Sequence, residues 1–262
     1  MVEFEWRKMR ADELRLKARE NAIVIVPVGS LEQHGPHCPV EVDSQLAETV
    51  ARETARYISE REPVLLLPTV WTGLSEHHMS FGGTITLDFQ AFNGVIEGIC
   101  RSLVRLNFKR IVLFNGHGGN DNALRVITDE LSPKLGIPIL QFTYWDAAPE
   151  VIANILETQE GLMHACEAET SMMMAVRPEL IDTTRIPQTQ SNMTSLSQYS
   201  APDIYRWRSV GSVSDSGILG NPQAASPEKG RRLINEVART IANKLTDAEI
   251  WKLPWYSEPL AN

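Results

Sequence analysis

The sequence predicts an α/β fold: a single domain with a mainly parallel central sheet and helices on both faces. Three observations carry that expectation. Short apolar runs rich in β-branched residues alternate with longer stretches of helical apolar spacing. The runs lack the polar alternation of a half-exposed strand, so they read as strands buried on both sides, as parallel strands are. No internal repeat or low-complexity linker divides the 262 residues, which are therefore read as one unit, 1–262.

Taken in order, Ala22 to Val28 (AIVIVPV) forms the first strand. Asp43 to Glu60 carries Leu46, Val50, Ala51 and Ile58 at helical spacing, with the Asp43 carboxylate near the free N–H groups of the helix start. Val64 to Val70 (VLLLPTV) is a second strand, Thr84 to Leu87 a shorter one, and a helix follows over about Phe89 to Leu106. Ile111 to Phe114 is a third core strand, ending in the polar Asn115-Gly116-His117-Gly118-Gly119-Asn120. A helix then runs to about Leu135, and Pro138 to Trp145 gives another strand. His164 to Val176 reads as helix. Residues 183–226, rich in Ser, Thr, Gln, Asn, Pro and Gly, read as irregular loops. Pro227 to Leu245 is a final helix with proline in its first turn.

Composition narrows the function classes. With 25 Lys and Arg against 33 Asp and Glu, the formal charge is −8, and no basic run offers the footprint that nucleic acid requires. Three cysteines (Cys38, Cys100, Cys166) are widely spaced without a CxxC pair, which points to a reducing, cytoplasmic setting. The charged stretch Met1 to Arg10 lacks the apolar segment of a secretory signal. No window approaches the roughly 18 apolar residues of a membrane span.

In parallel sheets, ligand sites gather beyond the carboxyl ends of the strands. Here Glu32 and His34 follow the first strand, Ser75 to His78 the second and His117 the third. In extended backbone Glu32 and His34, two apart, project to one side, and a carboxylate with an imidazole suits Zn²⁺, Mn²⁺ or Fe²⁺. Asp43 could return from its helix start and bridge two ions, one per oxygen; a solvated polar turn is the alternative for this stretch alone. The glycines around His117 let the backbone pass close to a bound ion or substrate, whereas a surface turn is the plainer reading. Asn115 and Asn120 would hold that loop by side-chain hydrogen bonds to backbone.

If His164 to Val176 is helical, Ala165, Glu169, Met172 and Val176 share one face. Glu169 is then a carboxylate in an apolar stripe, where an unpaired charge is costly and a metal ion would be its partner. Glu167 lies about 200° around the helix from Glu169, at roughly 100° per residue. It shares a face with His164 and could form a proton-transfer pair with it; an exposed helix carboxylate is the alternative. Met172 to Met174 read as core filler. A serine or cysteine nucleophile is disfavoured, because no G-x-S-x-G elbow exists and Cys166 would face away from His164.

Four stretches, VPVGSLEQHGPH with Asp43, GLSEHHMSFGGTITL, FNGHGGN and HACEAETSMM, occur in order over about Ile25 to Met173. Together they resemble the creatininase (creatinine amidohydrolase) family. The resemblance implies an α/β enzyme, commonly hexameric, with a dinuclear centre of Zn²⁺, Mn²⁺ or Fe²⁺. It puts Glu32, His34, Asp43 and His117 among the metal ligands, with Asp43 bridging and a glutamate of HACEAET completing the set. Glu169 is favoured over Glu167 for that place by the helical-face argument. His164 matches the histidine that lines the substrate pocket and assists proton transfer.

Two departures stand out. Creatininase proper has an aromatic residue and a glutamate after its metal histidine, where this chain has Gly118 and Gly119. The usual E-H before F-P-G-T appears as His77-His78 before Phe81-Gly82-Gly83-Thr84. Creatinine is therefore not the expected substrate. The expectation is a hydrolase that opens a small cyclic amide or cleaves a formamide-type C–N bond with two divalent ions. His164, oriented by Glu167, would protonate the leaving nitrogen, and Ser75, His78, Gly118 and Trp145 would contact substrate. Trp145 and Trp207 are candidates for an aromatic lid. Alternatives are a keto-inositol ring or a formylaminopyrimidine nucleotide on the same metals, or a non-catalytic metal-stabilised binding protein. Few basic residues lie near the motifs, which favours an uncharged substrate. The partners expected are a small molecule and further copies of the chain, a hexamer by resemblance, with no nucleic acid or membrane.

Overall fold

The structure, a computed structural model, describes residues 3–186 and 206–253. Its centre is a sheet of β1 (Ile23–Val28), β2 (Val64–Leu66), β3 (Arg110–Asn115) and β4 (Ile139–Thr143). All three pairings are parallel, in the order β2-β1-β3-β4. The register sets Ile23 opposite both Val64 and Arg110, and carries β1 and β3 side by side to Val28 and Asn115. The described helices are α1 (Ala11–Arg19), α2 (Val42–Ser59), α3 (Phe89–Arg105), α4 (Asp121–Leu135), α5 (Pro149–Ile155), α6 (Glu167–Val176) and α7 (Pro227–Leu245).

Every side chain of β1 is buried, because alternate residues feed two cores. Ile23, Ile25, Val112 and Phe114 pack with Leu46 and Val50 of α2, Met172 of α6 and Leu233 and Val237 of α7. Val24, Val26, Ile111 and Leu113 pack with Phe92 and Ile96 of α3 and Leu124 and Ile127 of α4. Helices thus cover both faces of the sheet, as the unbroken apolar runs require. Helix α7 starts as its sequence dictates: the Ser226 hydroxyl accepts from the Lys229 N–H, and Pro227 needs no partner for its nitrogen.

The elements differ from the sequence expectation in four places. The second strand stops at Leu66 because Pro68 cannot donate to the ladder; Val70 rejoins β1 only as an isolated bridge to Val28. Thr84 to Leu87 makes isolated bridges (Leu31 with Ile85, Gly73 with Thr86) rather than a strand. Helix α6 begins at Glu167, not His164: Ala165 sits in the left-handed region at φ 51°, and His164 pairs with Leu219 backbone to backbone in both directions. Helices α1 and α5 were not expected; α1 buries none of its residues completely, and α5 spans only 7 residues. Of the loop region 183–226, the described parts hold short turns at Thr183–Arg185, Val210–Ser212 and Pro222–Ala224, while 187–205 lie outside the described residues. No helix of the described residues is long and apolar enough to cross a membrane.

Candidate functional site

Strand β1 has β2 on one side and β3 on the other, so the chain leaves their carboxyl ends in opposite directions and opens a crevice there. From β1 the chain runs into Ser30 to His37, and from β3 into His117 to Asn120. Asp43, in the first turn of α2, lies over both. Close approach is the reason: a Cβ on Gly116 would fall 2.7 Å from Ala47 Cβ and 3.1 Å from the Asp43 carbonyl oxygen. The loop after β3 is fixed as expected. The Asn115 amide donates to the His117 carbonyl (2.7 Å), and Asn120 donates to the Gly29 carbonyl (3.0 Å) and accepts from the Leu74 N–H (2.9 Å).

The hydrogen-bond partners assign the tautomers of two buried histidines. His34 donates through Nδ1 to the Glu32 carbonyl (3.1 Å), which turns Nε2 toward Asp43 Oδ1 (3.2 Å) and Glu169 Oε1 (3.9 Å). His117 donates through Nε2 to the Leu74 carbonyl (3.1 Å), with Ser75 Oγ also at 3.1 Å. Its Nδ1 then faces Asp43 Oδ2 (2.9 Å) and Glu32 Oε2 (3.3 Å). Asp43 therefore stands between two imidazoles with one oxygen toward each. His34 Nε2 and Asp43 Oδ2 are buried without a hydrogen-bond partner.

Glu32, Asp43 and Glu169 are each no more than 3% exposed. Burial pushes the Glu32 and Glu169 carboxyls above the usual range. For Asp43, burial is outweighed by the neighbouring His34 and His117, and its pKa falls below the ordinary value. His34 and His117 move up against the cost of burial, drawn by Asp43 and Glu32. Two imidazolium ions would leave one of three carboxylates without a counter-charge. Divalent cations meet the charge and the donor chemistry together, since nitrogen and carboxylate donors suit Zn²⁺ and Mn²⁺. Within 4.8 Å of one another lie ligand atoms of three sets: His34, Asp43 and Glu169; Glu32, His77 and His117; and Glu32, His34 and His164.

A cavity of about 410 Å³ opens onto this cluster, a size that suits a small substrate. His78, Gly118, Trp145 and His164 line it. His164 donates through Nε2 to the Gln33 carbonyl (2.9 Å), leaving Nδ1 toward Glu32 Oε1 at 3.6 Å. Burial and the nearby His34 hold its pKa well below the ordinary imidazole value, so His164 is neutral. His78 accepts from the Gln33 amide at Nδ1 (2.8 Å) and points Nε2 at Glu32 Oε1 (3.2 Å). Trp207, 58% exposed, stands on the cavity wall.

Ser75 and Glu167 lie elsewhere than expected. Ser75 is completely buried behind His117, bonded to Ser30 Oγ (2.5 Å), and Ser30 in turn donates to Glu32 Oε2 (3.2 Å). It holds ligand candidates in place instead of meeting substrate. Glu167 forms no pair with His164, because the left-handed turn at Ala165 separates them before the helix begins. Its carboxylate accepts from Lys229 Nζ (2.6 Å), Thr158 Oγ1 (2.6 Å) and the N–H groups of Glu157 and Thr158. Glu169 does reach the cluster, although Ala165 lies outside its helix; Oε2 accepts from the Ala165 N–H (2.5 Å).

Sequence reasoning missed Gln33, His77, Arg206 and Arg208. Gln33 works through residues up to 184 positions away, such as Gly217, so no local pattern marks it. His77 was visible as a departure from the motif but carried no assigned role. Burial and His117 push its pKa down to about 3, so its ring is neutral. Arg206 and Arg208 line the cavity from a segment far from every motif, which removes the reason for expecting an uncharged substrate. Burial also pushes the Cys166 thiol up to about 12, consistent with its expected lack of nucleophilic character.

The sequence profile of the creatininase family, described as creatinine amidohydrolase, matches residues 7–245. The chain is 31% identical over 227 residues to the mycofactocin precursor peptide peptidase of Mycobacterium ulcerans (strain Agy99), covering 85% of this chain and 84% of that one. It is 29% identical over 265 residues to the creatinine amidohydrolase of Pseudomonas putida, covering 94% and 95%. A solved structure named Creatininase Mn superposes with a TM-score of 0.79 at 25% identity, over 93% of this chain and 98% of that one.

Proposed function

The chain belongs to the creatininase family of amidohydrolases, and from that membership we propose that it is a metal-dependent hydrolase cleaving the C–N bond of a small cyclic amide or formamide-type group. One observation carries the reading: Asp43 divides its two oxygens between His34 and His117, whose outer nitrogens are both tied to backbone carbonyls. His34, Asp43 and Glu169 would hold one divalent ion, and Glu32, Asp43 and His117 the other, with Zn²⁺, Mn²⁺ or Fe²⁺ suited to these donors. Bound there, such ions lower the pKa of water toward neutrality and polarise a carbonyl oxygen.

The chain's own residues supply the rest. His164, neutral and fixed through Nε2, takes a proton at Nδ1 and returns it to the departing nitrogen. Gln33 holds both His164 and His78 against the cavity, which keeps the proton acceptor from rotating away. Trp145 and Gly118 offer a flat wall for a planar amide, and the limited volume restricts the substrate to a small group or to the end of a larger one.

A second reading, cleavage at the end of a peptide, is favoured by Arg206 at the cavity wall, where a guanidinium suits a terminal carboxylate. Similarity to a peptide peptidase supports it. The test strips the purified protein with chelator, reloads it with Zn²⁺ or Mn²⁺, and assays lactams, formamides, cyclic ketones and short peptides side by side. Chelation is expected to abolish turnover and reloading to restore it, on a C–N bond. Full activity after metal removal, or activity only on a ring C–C bond, would sink the proposal.

A further inference from the structure

We propose that His77 is a direct ligand of the ion held by Glu32 and His117, an inference that rests on the reading of the site as a metal centre. A ring nitrogen of His77, one of His117 and an oxygen of Glu32 lie within 4.8 Å of one another. The two rings run nearly parallel, 16° apart in plane with centroids 5.6 Å apart, so both can address one point from neighbouring positions.

The place His77 occupies exists because residue 119 is glycine. A Cβ on Gly119 would fall 2.8 Å from His77 Cε1, 2.5 Å from His117 Nε2 and 2.3 Å from the Leu74 carbonyl oxygen. Any side chain there would displace one ring or the other, so Gly119 and His77 are complementary. Its neighbour His78 is already committed, with Nδ1 on Gln33 and Nε2 toward Glu32. Among the described residues, no hydrogen bond takes either ring nitrogen of His77. Of the adjacent pair, it is the histidine with a lone pair to give.

Counting donors separates the two ions. With Asp43 Oδ2 2.9 Å from His117 Nδ1, Asp43 would join Glu32, His77 and His117 to bring the protein ligands to four, the number that closes a tetrahedral site. His34, Asp43 and Glu169 would supply three ligands and leave a position open on the side of His164, whose ring centroid is 4.2 Å from that of His34. The four-ligand site would then be the tighter one, and the three-ligand site would be the one that faces substrate.

The test is Co²⁺ binding by competition with a chelator, read with the visible d–d spectrum. The wild-type protein should take up two Co²⁺ in two steps. His77→Phe keeps a ring of similar shape without a donor. It should weaken the tighter step by at least about tenfold, the loss that follows even from removing an outer partner of a metal ligand. The weaker step should stay unchanged while the spectrum shifts. His77→Glu, which restores a donor, should recover most of the affinity. If His77→Phe binds both ions as the wild type does, with the same spectrum, the ring only fills the space beside Gly119 and the proposal fails. His77→Leu, which also lacks a donor, provides the same comparison should the phenylalanine variant not fold. A wild-type protein that takes up no Co²⁺ would overturn the metal centre itself, an outcome distinct from loss of the His77 role alone.

Discussion

At the scale of single residues, the site is a set of imidazoles whose outer nitrogens are already spent. His34 spends Nδ1 on the Glu32 carbonyl, His117 spends Nε2 on the Leu74 carbonyl, and His164 spends Nε2 on the Gln33 carbonyl. What remains of each faces Glu32, Asp43 or Glu169. His164 differs from the other two in lining the cavity, which suits proton transfer. The His164→Ala variant is therefore expected to lose roughly 10²- to 10⁴-fold in kcat, the range for a positioned acid or base. Metal content, measured by elemental analysis, should stay near that of the wild type. A variant that keeps its turnover, or that loses both ions, would refute that role. The residue types of the cluster, two carboxylates and two imidazoles after the first and third strands, were legible because strand ends mark such sites. Gln33 and Ser75 were not legible in their roles, since each acts through contacts made only when distant segments meet.

At the scale of elements, helix α6 shows how one backbone angle redirects function. The left-handed Ala165 starts the helix at Glu167, sending that carboxylate to Lys229 while Glu169, two residues on, reaches the metal candidates. A conformation of this kind costs about 1–2 kcal/mol for a residue with a side chain. Tertiary pairing of His164 with Leu219 holds it. Glu167 is completely buried and accepts from four donors, so it is a structural anchor between α6, α7 and the segment after α5. Glu167→Gln leaves Lys229 without its closest buried partner and should lower the unfolding free energy by roughly 3–5 kcal/mol at neutral pH. Burial opposes ionisation of Glu167, but Lys229 and Thr158 outweigh it and hold its pKa below the usual carboxylate value. Its stabilisation is thus fully present above about pH 4.3, the unfolded value, and fades as pH falls through the lower folded one. Denaturant titrations of both proteins should converge in that acidic range; a gap that persists unchanged there would argue against an ionic role.

At the scale of the whole molecule, the sheet order brings the ends of β1 and β3 together, and α2 lays Asp43 over both. Three carboxylates buried at one point burden the fold unless cations accompany them. Metal at about 100 times its Kd would add about 2.7 kcal/mol per site. For a chain of this size, that raises Tm by roughly 5–10 °C. Calorimetry with and without chelator measures it, and an identical Tm in both would count against a metal centre. Light scattering checks the homo-hexamer that we propose from the family resemblance. The sequence by itself determined the strand and helix periods, the two-sided burial of the sheet and the residue types Glu32, His34, Asp43, His117 and Glu169, because patterning and strand-end motifs are local. Only the tertiary structure decided which side chains face one another. It moved Glu167 to Lys229, placed Ser75 behind His117, brought Arg206 and Arg208 to the cavity wall and set His77 into the space beside Gly119. The physical reason is that such contacts depend on distances between chain segments far apart in sequence, fixed only when both cores close around the sheet.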